Sequence, residues 1–191
     1  MKQRIKITTL GSTETGKTVL IKRFCEKYFE KRYEPTIGVD YGSITVARDD
    51  LQCNHIDKEV RGDISIDIFD TSGSDDFVEV RKEFYRDVDG ILLVYDVNDY
   101  ASFAAVDKMI NEAKTNGFDM SDSSSESKVV IICGNRVEQD MCQVLKEDVL
   151  KLTKNFRNMF HFETSALSGH NVASAFNCLF QSVVSKKTTG K

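Results

Sequence analysis

Apolar and polar positions are arranged in blocks along the whole chain. Ile5 to Leu10 alternates between the two with the period of a half-buried strand, and after a glycine-bounded turn Lys17 to about Tyr28 changes to helical spacing. Tyr41 to Ala47 and Ile64 to Phe69 again have the two-residue period. The long polar connection between them, Arg48 to Asp63, predicts an antiparallel hairpin with an enlarged tip. Asp75 to Arg86 reads as helix. Ile91 to Asp96 opens as a continuous apolar run, as expected of a strand buried on both faces, and is followed by helical spacing from Ser102 to about Lys114. Val129 to Cys133 is a fifth strand, Lys146 to about Asn158 a helix, Phe160 to Thr164 a sixth strand and Val172 to Val184 a last helix.

Strands alternating with helices at this spacing predict an α/β fold, a six-stranded, mostly parallel sheet covered by helices on both faces. In such a sheet ligands bind beyond the carboxyl ends of the strands. The serine-rich stretch from Gly117 to Ser127 lacks the side chains to bury and reads as a solvated insertion. A chain of 191 residues suits one compact domain, expected over residues 1–185, with 186–191 as a flexible tail.

Composition narrows the function classes. The longest apolar runs, Ile91–Tyr95 and Val129–Cys133, fall far short of the roughly 20 residues that span a bilayer. Lys and Arg number 26 against 30 Asp and Glu, and the basic residues are scattered, so no nucleic acid is expected as partner. Cys25, Cys53, Cys133, Cys142 and Cys178 form no C-x-x-C pair, and the three histidines form no H-E-x-x-H, which argues against a disulfide scaffold and a zinc site. The N-terminus lacks both a signal-peptide core and a glycine at position 2. These features predict a reduced, cytoplasmic protein, expected as a monomer.

Chemistry enters at Gly11-Ser12-Thr13-Glu14-Thr15-Gly16-Lys17-Thr18, which fits G-x-x-x-x-G-K-[ST] between the first strand and the first helix. A phosphate chain needs many hydrogen-bond donors at once. Successive backbone N–H groups from Thr13 to Thr18 and the positive helix end supply them without side-chain entropy. Gly16 permits close approach, Lys17 neutralises the β- and γ-phosphates, and the Thr18 hydroxyl suits Mg²⁺. Asp70-Thr71-Ser72-Gly73 follows a strand, so Asp70 emerges at the ligand edge to hold Mg²⁺ through water, and Gly73 offers its N–H to a γ-phosphate. Asp87-Val88-Asp89-Gly90 has the same spacing but precedes a strand, at the wrong edge.

Taken with Pro35-Thr36-Ile37-Gly38-Val39-Asp40-Tyr41 and Glu163-Thr164-Ser165-Ala166, these segments resemble the Ras superfamily, and its Rab branch above all. The resemblance implies the P-loop small-GTPase fold, GTP and GDP as ligands with Mg²⁺, and a role in signalling and vesicle trafficking. By it, Thr36 closes on Mg²⁺ and γ-phosphate, Phe29 stacks on guanine, Tyr33 covers the phosphates, and the loops around Thr36 and Gly73 are the two switches. Asn135-Arg136-Val137-Glu138 and Ser165-Ala166-Leu167 stand where the family has N-K-x-D and S-A-K. The carboxylate accepts from guanine's ring N–H and amine, whereas adenine presents an acceptor there. Here that carboxylate is Glu138, one methylene longer than Asp, and Arg136 replaces Lys. Asn54-His55-Ile56-Asp57 also fits N-x-x-D but lies at the hairpin tip, away from any strand's carboxyl end.

Further departures concern catalysis. Most relatives place Gln after D-x-x-G to orient the attacking water, and this chain has Ser74, too short to reach it, so slow hydrolysis is expected with Lys17, Thr36, Gly73 and Ser74 as the catalytic set. Thr13 crowds the space of an inserted arginine, which points to an unconventional GAP, although Rab-type loops tolerate a small hydroxyl residue there. The final residues contain no cysteine, so no prenyl anchor is expected. Ile21 to Lys27, Asp40 to Gly42, Glu79 to Tyr85 and Phe162 to Ala166 resemble the RJL family of Rab-like GTPases, whose members lack that Gln and a lipidation signal. The resulting expectation is a GTP/GDP switch that binds an exchange factor and effectors through residues 37–41 and 77–85. Two alternatives stand beside it: a non-hydrolysing pseudo-GTPase scaffold, and a P-loop phosphotransferase using ATP.

Overall fold

The computed structural model describes residues 3–32, 34–47, 51, 63–118, 128–154 and 156–189. The readings placed on Tyr33, on the tip motif Asn54–Asp57 and on most of the serine-rich insertion lie outside the described residues. Six strands, β1 (Gln3–Leu10), β2 (Val39–Val46), β3 (Ile64–Thr71), β4 (Gly90–Asp96), β5 (Val129–Asn135) and β6 (Met159–Glu163), form one sheet in the order β2-β3-β1-β4-β5-β6. Only β2 runs antiparallel to its neighbour, in register Val39 opposite Thr71 and Val46 opposite Ile64. The strand order reverses at β1, with β3 on one side and β4 on the other, and such a reversal opens a crevice at the carboxyl ends of the strands.

Five α-helices cover the sheet: α1 (Lys17–Glu26), α2 (Val78–Lys82), α3 (Tyr100–Thr115), α4 (Lys146–Thr153) and α5 (Val172–Thr189). The apolar run in β4 is explained by two cores, one on each face. Leu92 and Val94 join Leu20 of α1 and Phe176, Leu179 and Phe180 of α5, while Ile91, Leu93 and Tyr95 join Val106 and Ile110 of α3 and Val149 of α4. Each such fully buried large side chain contributes about 1.5–3 kcal/mol. Leu51, inside the polar connection, is also buried in the first core.

The strands match the sequence reading closely and the helix ends do not. The first helix stops at Glu26, because Lys27 takes a left-handed conformation (φ 58°) that ends the turn. The stretch read as one helix from Asp75 to Arg86 is a 3-10 turn over Asp75–Phe77 followed by the short α2, since Ser74 caps the turn through the Asp76 N–H. The fourth helix ends at Thr153, ahead of the expected Asn158. In the other direction α5 continues to Thr189, past the helix end at Val184 that the sequence predicts and into the expected tail of 186–191. Lys187 there pairs with Asp89 at 2.8 Å, at the N-terminal edge of β4.

Candidate nucleotide-binding site

β1 delivers the chain to the sheet's carboxyl edge, and residues 11–16 turn it into α1. Gly11 (φ 147°) and Gly16 (φ 94°) hold backbone angles that L side chains rarely adopt, and Glu14 takes the left-handed region as well (φ 63°). A side chain at Gly11 would meet the Val94 carbonyl, and one at Gly16 would fall on the Asn135 amide nitrogen. No side chain caps the start of α1, so its first N–H groups face the cavity's mouth without a competitor. Lys17 folds back over the loop: its Nζ donates to the carbonyls of Gly11 and Ser12, each at 2.9 Å. Lys17 is only 6% exposed, and burial pushes its ammonium down to about 8. A buried cation held by neutral carbonyls, beside free N–H groups, is an electrostatic setting made for an anion.

Three oxygen side chains, those of Thr18, Thr36 and Asp70, meet beside Lys17, with Thr9 bonded to the last. Thr18 Oγ1 donates to Asp70 Oδ2 at 2.5 Å and lies 3.1 Å from Thr36 Oγ1, and Thr9 Oγ1 donates to Asp70 Oδ1 at 2.8 Å. Burial raises the Asp70 carboxyl above the ordinary range, against the opposing pull of the hydroxyls of Thr18 and Thr9 and of Lys17. Thr36 arrives there through the antiparallel register of β2 on β3, completed by the Ser72 N–H donating to the Gly38 carbonyl at 2.8 Å. An all-oxygen set of two hydroxyls and a carboxylate fits a hard, octahedral ion such as Mg²⁺. Among the described residues no group of three or more His, Cys, Asp or Glu forms a metal site of another kind.

Gly73 is packed against the phosphate loop, where a Cβ would stand 2.5 Å from both the Gly11 carbonyl oxygen and the Thr13 amide nitrogen. The Ser74 hydroxyl is occupied locally, accepting from the Asp76 N–H at 3.2 Å and contacting Asp76 Oδ2 at 3.2 Å.

The other side of the site comes from β5 and the loop after β6. Asn135 is buried and ties three segments together: its Nδ2 donates to the Thr15 carbonyl at 3.0 Å, and its Oδ1 accepts from the Ala166 N–H at 3.3 Å and the Thr164 hydroxyl at 3.4 Å. Arg136 takes a left-handed backbone (φ 67°) and reaches from Asp96 Oδ2 at 2.8 Å to the Glu14 carbonyl at 2.7 Å, clamping the phosphate loop to the end of β4. Glu138 is exposed at the rim, and among the described residues nothing engages its carboxylate.

A cavity of about 840 Å³ joins these parts. Its walls include Thr13, Glu14, Gly16, Lys17, Thr18, Thr36, Gly73 and Ser74 on the phosphate side, and Phe29, Asn135, Arg136, Glu138, Ala166 and Leu167 on the other. Phe29 packs partly on the first core and lines the cavity. Thr15 and Ser165 are buried behind the wall, their hydroxyls bonded to the Ser12 carbonyl and the Ser168 N–H. Asp70 also stands behind Thr18 and Thr36. Asp96 and Lys22 are among the residues at the site that the sequence reading did not single out. Asp96 ends a buried apolar run at the ligand edge, the same signal that singled out Asp70. Lys22 is on the cavity wall, one helical turn beyond Thr18.

The fold, the phosphate loop and the cavity define a nucleotide-binding α/β domain, and comparison with known proteins gives its class. The family model described as the Ras family matches residues 6–185, and the chain belongs to that family of small GTP-binding proteins. Curated relatives include DnaJ homolog subfamily C member 27 of Danio rerio, 37% identical over 180 residues that cover 94% of this chain and 61% of the relative. The protein of that name in Homo sapiens is 35% identical over 182 residues, 95% of this chain and 62% of the relative. DnaJ homolog subfamily C member 27-B of Xenopus laevis matches to the same extent as the latter. This chain thus spans about three fifths of the length of the curated relatives it matches. The likeness bears out the resemblance to the Rab-like, J-domain-related branch of the Ras superfamily. Among the described residues no helix is long and apolar enough to cross a membrane.

Proposed function

We propose that this chain is a Rab-like guanine-nucleotide switch with slow intrinsic hydrolysis. The observation that carries the reading is the continuity of one cavity from the Lys17, Thr18 and Thr36 cluster to the Asn135, Ala166 and Glu138 cup. On this reading the N–H groups from Thr13 to Thr18 and the Lys17 ammonium bind the phosphate chain. Thr18 and Thr36 hold Mg²⁺ with Asp70 behind them. When bound, such an ion would supply positive charge to offset that of the phosphate oxygens. Phe29 stacks on the base and Glu138 accepts from guanine's two N–H donors, the contact that rejects adenine. Arg136 clamps the phosphate loop, both ends of its fork being taken by Asp96 and Glu14.

Slow turnover follows from Ser74. Its hydroxyl is short and committed to Asp76, so no side chain at that position orients an attacking water. Loss of the γ-phosphate removes the ligand contacts of the segments around Thr36 and Gly73, which is the switching step. The surface they carry, with Ile37 81%, Tyr41 58% and Val80 40% exposed, is where effectors and an exchange factor bind. The same Ser74 geometry supports the second reading, a scaffold that stays loaded.

Calorimetry on nucleotide-stripped protein with Mg²⁺ tests the binding. Uptake of GTP and GDP, with ATP at least a hundredfold weaker, is expected, and failure to bind either guanine nucleotide overturns the reading. Single-turnover hydrolysis above spontaneous GTP decay separates the slow enzyme from the scaffold.

A further inference from the structure

Behind the Ser74 segment lies a buried ion pair that takes no part in holding nucleotide. Arg81 of α2 is only 2% exposed, and its Nε and Nη2 donate to the two carboxylate oxygens of Glu112 on α3 at 2.8 and 3.0 Å. The Tyr85 hydroxyl, also buried, donates to the same carboxylate at 2.6 Å. A guanidinium leaves water only when its N–H groups are filled, and a bidentate carboxylate fills two of them with a fixed orientation. The remaining direction is the informative one: Nη1 donates to the main-chain carbonyl of Ser74 at 3.0 Å. Among the described residues the other hydrogen bonds of Ser74 are local, to Ser72, Asp76 and Phe77, so Arg81 is its tie to the helical layer. One peptide earlier, Gly73 lies against the phosphate loop in a space too small for a Cβ.

We propose that Arg81, Glu112 and Tyr85 form a latch that holds the Gly73–Ser74 segment against the phosphate loop with or without a γ-phosphate. Arg81 is thereby the positioning residue for triphosphate recognition. The inference rests on the guanine-nucleotide reading above and adds to it how this switch is biased. A segment that must be ordered on binding weakens its ligand by the ordering cost, and a segment ordered beforehand does not. Only the triphosphate uses the Gly73 N–H, so the latch strengthens GTP binding and leaves GDP binding unchanged. It also confines the conformational change on hydrolysis mainly to the Thr36 side.

The test uses the full 191-residue chain, its Glu112→Gln and Tyr85→Phe variants, GDP and a non-hydrolysable GTP analogue. Glu112→Gln keeps the GDP dissociation constant within about twofold and weakens the GTP analogue by about tenfold, as loss of a preordered state requires. Tyr85→Phe moves the same ratio in the same direction by a smaller factor. Amide exchange at residues 73–77 is equally slow in the GDP and GTP-analogue states of the wild type, and accelerates in the GDP state of Glu112→Gln. Equal weakening of both nucleotides, an unchanged ratio in both variants, or far faster wild-type exchange with GDP than with the analogue overturns the latch. The exchange comparison is made on nucleotide-free protein too. Should neither nucleotide bind, the guanine-nucleotide reading falls, while faster exchange in Glu112→Gln still separates a latch from an inert ion pair.

Discussion

Ser74 and Asn135 carry opposite kinds of information. The hydroxyl of Ser74 is used by its own turn, as an N-cap for Asp76, so whatever it contributes at the γ-phosphate comes through its main chain. Ser74→Gln gives up that cap, at about 1 kcal/mol, and places an amide where a water can be oriented. The single-turnover rate is expected to rise by about tenfold or more, measured as phosphate release from preloaded GTP. Asn135 uses its whole amide to satisfy buried groups of the phosphate loop and the loop after β6. Asn135→Ala leaves the Thr15 carbonyl and Ala166 N–H unpaired, a cost of about 2–3 kcal/mol. That cost lowers the melting temperature by about 5–10 °C, measurable by calorimetric scanning. His161 is a third case. Burial lowers its pKa beneath the ordinary 6.5, so the unfolded chain binds the proton first as pH falls. Stability is therefore complete above pH 6.5 and declines from there towards the folded-state pKa. In His161→Gln the denaturant midpoint is expected to fall less between pH 7 and pH 5 than in wild type.

At the scale of elements, the strands were legible because their signals are local. β4 and β5 are near-continuous apolar runs, and β2 and β3 alternate, so period and length together identify them. Helix ends were less legible. Nothing in the composition of Asp75 to Arg86 separates a long helix from a capped 3-10 turn and a five-residue helix. The choice is made by Ser74 engaging Asp76 and by Arg81 reaching back to the Ser74 carbonyl. In the same way α5 runs past Val184 because Lys187 finds Asp89 and the Arg4 carbonyl, contacts made across the molecule. The phosphate loop is the clearest local success. Its glycines stand where side chains would strike Val94 and Asn135, the first on a strand legible in the sequence and the second two residues beyond one.

On the scale of the whole molecule, two cores share one sheet, and the site lies along the sheet's carboxyl edge with contributions from β1, β3, β5 and the loop after β6. A ligand that bridges these pieces binds the folded state alone. GTP at a hundred times its dissociation constant is expected to add about 2.7 kcal/mol to stability. That raises the melting temperature by about 5–10 °C in a thermal-shift measurement, with at most about 1 °C from ATP at the same concentration. The sequence by itself determined the order and kind of the elements, the phosphate loop and the side chains able to face a nucleotide, because periodicity and motif spacing are properties of neighbours along the chain. Only the tertiary structure decided that Arg136 clamps Glu14 to Asp96, that the Ser74 hydroxyl is spent on a turn, and that Arg81 and Glu112, separated in the chain by 31 positions, meet in a buried pair. Those outcomes depend on which groups lose water together, and desolvation is set by packing between segments that no local pattern describes.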